Sequence, residues 1–163
     1  MEDEPPTPPA ANGLDFICWD EDQMTTGVAS IDEQHRELIQ HLNELHRAHL
    51  AGAQPDDIKK ILKFLGRFVA THFQHEEGIM EERQCPQRKE NLMAHARFLS
   101  AYQELVSNFS MEDDPDQIAK EIKNMAARWL ASHICRVDAG LRHCPAIGPK
   151  EANQSKPPPP QPK

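Results

Sequence analysis

The chain is predicted to be all-α: an antiparallel, up-down-up-down four-helix bundle with an N-terminal arm. Two observations carry this. Apolar residues recur at helical spacing through four long segments, with prolines falling where breaks between them are needed. Histidines and carboxylates then continue those apolar stripes, as His35, as His72 with Glu76, as His95, and as His133 with Asp138. Burying such side chains costs several kcal/mol unless something compensates them, and a pair of metal ions satisfies nitrogen and oxygen donors together.

The elements follow in order. Residues 1–13 hold four prolines and few apolar side chains, so a mobile Pro-rich tail is expected there. Residues 14–30 lack a helical period, and Phe16, Ile17 and Trp19 are expected to lay an arm across the bundle. Ser30-Ile31-Asp32-Glu33 reads as a capping box with Ser30 as N-cap. Pro55, Pro86 and Pro115 read as first helical positions, the last capped by Asp114. The predicted helices therefore span about 31–51, 55–83, 86–109 and 115–141, and the domain spans 14–141. A second Pro-rich tail is expected over 142–163.

Each helix has a countable apolar stripe. Ile31, Leu38, Leu42 and Leu45 accompany His35; Ile58, Ile61, Leu65, Phe68 and Val69 lead into His72, Glu76 and Met80. Leu92, Leu99, Tyr102, Val106 and Phe109 accompany His95, while Ile118, Ile122, Met125 and Trp129 precede His133.

Composition excludes several classes of function. Lys and Arg total 18 against 26 Asp and Glu, a net charge of −8, which disfavours nucleic acid and anionic membrane surfaces as partners. No apolar run reaches a membrane span, and the acidic start Met1-Glu2-Asp3-Glu4 is unlike a secretory signal, so a cytoplasmic protein is expected; a monomer is the expected state. Cys18, Cys85, Cys135 and Cys144 form no Cys-x-x-Cys pair and are read as reduced thiols, with Cys135 close enough to His133 and Asp138 to be oxidised by metal chemistry.

His72 and Glu76, four apart, point from one helix face toward one spot, where a carboxylate can bridge two cations. His133 and Asp138, five apart, fall about 140° out of line on an ideal helix. Either a local π-type widening joins them or Asp138 reaches across the gap. A lone histidine on an apolar face is usually a satisfied core residue, but four such faces with two acids favour metal. His41, His46, His49 and His143 read as surface residues, and Phe73, Phe98, Leu99, Trp129 and Leu130 as the dry wall of the site.

Trp19-Asp20-Glu21, Thr26-Gly27-Val28 and Ile31-Asp32-Glu33-Gln34-His35, then His72-Phe73-x-x-Glu76-Glu77-x-x-Met80, then Trp129-Leu130-x-x-His133-Ile134-x-x-x-Asp138, together resemble the bacterial hemerythrins over residues 14–141. The resemblance implies a non-heme di-iron centre, oxo- or hydroxo-bridged, that binds dioxygen reversibly, with Glu76 and Asp138 bridging the irons. It further implies that His35 and His72 hold the iron with a place free for dioxygen, and that His95 and His133 hold the other. The family pattern His-x-x-x-His is broken on the third helix, where Asn91 stands four residues before His95. Asn91 has three readings: a weak amide-oxygen ligand, a hydrogen-bond partner of a water in the missing imidazole's place, or a bystander to an open place. Water is favoured, because carbonyl oxygens suit harder cations. His75 belongs to the other iron's side and is no substitute.

The alternatives to an oxygen carrier are a sensor of oxygen, redox state or nitric oxide acting through a separate protein partner, and peroxide chemistry eased by the open place beside Asn91. A ferritin-like oxidase is ranked below these, since the chain has no Glu-x-x-His motif.

Overall fold

The computed structural model describes residues 15–108 and 115–145. Six helical elements appear in order: α1 Glu21–Met24, α2 Ala29–Leu50, α3 Pro55–Glu82, α4 Arg88–Asn108, α5 Pro115–His133, and the 3-10 helix α6 Asp138–His143. No strand occurs among the described residues. The expected tails at 1–13 and 146–163, the Asp114 cap, Phe109 and the side chains of Ile118 and Leu130 lie outside the described residues.

Short connections, Ala51–Gln54 and Arg83–Gln87, leave consecutive long helices no choice but to run antiparallel. Contacts confirm the direction. His35 near the start of α2 meets His72 near the end of α3, while Leu45 further along α2 packs with Ile58 and Leu62 near the start of α3. The same reversal relates α3 to α4, where Met80 meets Asn91 and Leu62 meets Tyr102. Against α5, Leu45 packs with Ile122 while His35 faces Asp138 beyond the helix end.

The interior is layered along the bundle axis. At one end Leu45, Ile58, Leu62 and Ile122 form an apolar plug. The middle is filled by Leu38, Ile39, Leu42, Leu65, Val69, Phe73 and Ala126. At the other end Val28, Ile31, Ile79, Met80 and Leu141 close the core. The buried His, Glu and Asp side chains lie between the last two layers, sealed by apolar surface above and below.

Several helix ends differ from expectation, each for a local reason. Ser30 is not the N-cap: α2 begins at Ala29 after Val28, and Ser30 Oγ instead lies 3.1 Å from His75 Nε2. Asp32 organises the entry, its Oδ1 accepting from Thr26 N at 2.6 Å and Thr26 Oγ1 at 2.7 Å and its Oδ2 from Thr25 Oγ1 at 2.7 Å. Gly27 supplies the positive φ of +76° that turns the chain into it. Pro86 precedes α4 rather than starting it, because the α3 exit spends residues 83–87 on a turn closed by Cys85 N to Met80 O at 2.9 Å. The arm also contains an unexpected turn of helix, α1, capped by the Asp20 carboxylate.

The arm is laid as expected. Asn43, buried on α2, accepts from Phe16 N and Ile17 N at 2.9 and 3.0 Å and donates to Ile17 O at 2.8 Å, satisfying extended backbone that no strand partner serves. Ile17 is thereby driven into the core, and Trp19 packs against the core with the Arg36 guanidinium 4.4 Å from its ring centre.

The reading of the cysteines as reduced thiols is corrected at two positions. Cys85 and Cys144 are joined in a disulfide, with Cα atoms 5.1 Å apart and a sequence separation of 59. That separation is why no local cysteine motif announced the bond. The bond also ties down residues 142–145, expected with the tail, and Arg142 reinforces it by donating to Thr25 O and to Asp22 O. Cys135 remains a half-buried thiol, its pKa pushed up chiefly by burial.

Replacing Asn43 by alanine strands two backbone N–H donors of the arm. We expect Asn43→Ala to cost about 2 kcal/mol, measured by denaturant unfolding, with Trp19 fluorescence reporting release of the arm.

Candidate metal centre

The six expected side chains, from α2, α3, α4, α5 and the start of α6, converge on one spot. His35, His72, Glu76, His95, His133 and Asp138 are all at most 3 % exposed. Glu76, His95, His133 and Asp138 bring ligand atoms within 4.8 Å of one another, and so do His35, His72 and Glu76. Glu76 belongs to both groups.

The carboxylates divide their oxygens between two halves of the site. Glu76 Oε2 faces His72 Nε2 at 3.5 Å and His35 Nε2 at 3.8 Å, while Oε1 faces His95 Nε2 at 3.9 Å. Asp138 does the same, with Oδ1 3.1 Å from His133 Nε2 and Oδ2 3.5 Å from His35 Nε2. Two imidazole nitrogens on one side and two on the other therefore share the same pair of acids.

How Asp138 reaches the site answers the spacing problem. α5 stops at His133, Val137 N bonds His133 O at 2.7 Å, and Ala139 N bonds Ile134 O at 3.0 Å, five residues back. This widened turn, followed by the tight turns of α6, swings Asp138 inward. The fourth helix accordingly ends well short of 141.

Ring orientation is set by neighbours that the sequence reading did not assign. Gln34 Oε1 lies 3.0 Å from His72 Nδ1, and Glu77 Oε1 lies 2.8 Å from His95 Nδ1. A carboxylate only accepts, so His95 carries its proton on Nδ1 and aims the bare Nε2 at the centre. Both partners sit beside motif residues, in Gln34-His35 and Glu76-Glu77, and that adjacency was the available signal. Phe73 stacks on His95 with centroids 3.6 Å apart, and Trp129 stacks on His133 at 4.5 Å, with Phe98 behind them. These rings and Leu99 form the wall expected of them.

Asn91 is fully buried in the same cluster. Its Nδ2 donates to Glu76 Oε1 and lies 2.9 Å from Met80 Sδ. His75 is turned away, toward Ser30. His41, expected at the surface, is half-buried: it lies between Glu37 and Glu44 with its ring edge-on to Phe64 and Phe68 of α3, away from the site.

Burial favours the neutral form of two of the four imidazoles. Burial, then neighbouring His35, holds His72 well below the ordinary histidine range, and burial pushes His95 down to about 3. Burial pushes Asp138 up, but the facing imidazoles of His133 and His35 outweigh it and keep the acid ionised. Glu77 is raised by burial and by Glu76 beside it.

A cation fits this chemistry. Glu76 Oε2, His95 Nε2, Asn91 Oδ1 and both Asp138 oxygens are buried without a hydrogen-bond partner among the described residues. His35 Nε2 and His72 Nε2 face each other at 3.1 Å. Orphaned acceptors at such density are costly, and imidazole with carboxylate is the donor set of first-row transition metals.

Two outcomes test this arrangement. Glu77→Ala frees His95 from its orienting partner, and we expect metal affinity to fall roughly tenfold to a hundredfold, measured by chelator competition. Second, the burial that lowers His72 and His95 makes the metal-free protein acid-sensitive. His95 binds its proton at about 3 when folded but near 6.5 when unfolded, so its contribution is intact above 6.5 and is lost as pH falls toward 3. Urea midpoints of the metal-free protein should decline across that window, and Asp138, lowered when folded, steepens the acid end.

Comparison with known proteins agrees with this geometry. Residues 26–141 match the family model described as the hemerythrin HHE cation binding domain. The chain is similar to the Bacteriohemerythrin of Pseudomonas aeruginosa (strain LESB58), 29% identical over 124 residues, covering 76% of this chain and 78% of that protein. It is 30% identical over 119 residues to the Bacteriohemerythrin of Stenotrophomonas maltophilia (strain R551-3), covering 73% and 74% of the two chains. That of Methylococcus capsulatus is 24% identical over 123 residues, covering 76% of this chain and 92% of that protein. With a family match across most of its length and a cation-ready cluster inside a helical bundle, the chain belongs to the hemerythrin HHE cation-binding family.

Proposed function

We propose that the chain holds two iron ions between His35, His72, Glu76, His95, His133 and Asp138, and uses them to bind dioxygen reversibly. The observation that carries this reading is the division of each carboxylate over two imidazole pairs, which gives two cation positions sharing two acids. Iron, when bound, supplies the electron exchange that dioxygen binding requires. His35 and His72 would hold one metal and His95 and His133 the other, with Glu76 and Asp138 facing both positions.

The residues around the ligands support binding over turnover. Gln34 and Glu77 orient His72 and His95. Phe73, Phe98 and Trp129 exclude bulk water from one side, and Ile31, Ile79 and Leu141 from the other, which disfavours loss of the bound ligand to solvent. No helix among the described residues is long and apolar enough to cross a membrane.

Reconstitution tests the reading. Iron-loaded, reduced protein should gain a visible absorption band in air and lose it when oxygen is removed, over repeated cycles. Conversion in a single irreversible step would instead favour sensing or redox chemistry, the alternative that Asn91 supports.

A further inference from the structure

The two halves of the site have equal protein donors. His35 and His72 serve one position, His95 and His133 the other, and each half receives one oxygen from Glu76 and one from Asp138. Iron with histidine and carboxylate ligands is ordinarily bound with more donors than these four, the remainder coming from water or substrate.

Among the described residues, the one further polar side chain buried among these donors on the His95 side is Asn91, and its own bonds argue against ligation. The amide is anchored through Nδ2, which donates to Glu76 Oε1 and lies 2.9 Å from Met80 Sδ. A carboxylate only accepts, so Nδ2 must be the end that meets it, and Oδ1 is fixed pointing elsewhere. Oδ1 is buried and has no donor among the described residues. A buried acceptor is costly unless an O–H or N–H reaches it. A neutral amide oxygen is also a poor donor to iron beside imidazole and carboxylate.

We propose that both metal positions, not one, accept a small exogenous ligand, and that Asn91 serves the His95–His133 position as a hydrogen-bonding residue that steadies Glu76 and accepts from a protonated ligand, without coordinating the metal itself. The ligands that fit are water and small oxygen- or nitrogen-donor molecules. This rests on the di-iron reading above.

Nitric oxide titrated into the anaerobic diferrous protein is the probe, since it occupies open ferrous positions and its uptake can be counted. Iron is first quantified per chain, and two irons are required for the di-iron reading to stand. The native protein is expected to take up two equivalents of nitric oxide per iron pair, and Mössbauer spectra should show both irons altered. Two irons with an endpoint of one equivalent overturn this proposal while leaving the di-iron reading intact, whereas fewer than two irons overturns the di-iron reading itself. Asn91→His, which adds an imidazole to that side, should halve the endpoint to one. Asn91→Ala should keep both irons and an endpoint of two; loss of the iron on that side would make Asn91 a ligand and overturn the assignment. The native endpoint decides the matter even where a variant fails to fold.

Discussion

Two buried carboxylates, each turned to face imidazoles on opposite sides, are the constraint around which the bundle is organised. Glu76 and Asp138 are fully enclosed, and enclosed acids are tolerated only with close compensation. Every long helix sends an imidazole to them, so helix register is locked along the whole length of the bundle. Sliding any helix by one residue would carry its histidine off the site and turn its apolar stripe out of the core. The apolar layers above and below sharpen the demand, because they remove the water that would otherwise soften it.

Much of this was legible in the sequence, and the reasons are physical. Apolar periodicity together with prolines marks where helices lie, and polar residues interrupting a stripe mark where the interior must hold something other than hydrocarbon. All six converging side chains declared themselves in this way. Helix ends were less legible, because caps depend on which side chain is free to bond. Ser30 has the right identity for an N-cap but bonds His75, and Asp32, four residues past the cap position Val28, does the work through Thr25 and Thr26. The end of α5 could not be decided from spacing alone, since widening and reaching both answer a five-residue interval; the Ala139 to Ile134 bond decides it.

The orienting partners and the disulfide were hidden for a different reason. Gln34 and Glu77 sit on the flanks of their helices, where polar residues are ordinary, and only the three-dimensional register shows which imidazole each one meets. Asn43 is similar: one amide serving three groups of the arm is invisible to any pattern of period 3.6. Such contacts are long-range in sequence and carry no local signature.

The Cys85–Cys144 bond encloses residues 85–144 in a covalent ring, and that ring carries Asn91, His95, His133 and Asp138, while His35, His72 and Glu76 stay on the open strand before it. A denatured, oxidised chain therefore keeps three of the six donors tethered within one loop, at a far higher effective concentration than a linear chain would give them. Reassembly of the centre then becomes the threading of one helical hairpin, α2 with α3, onto a partner whose ends have already met.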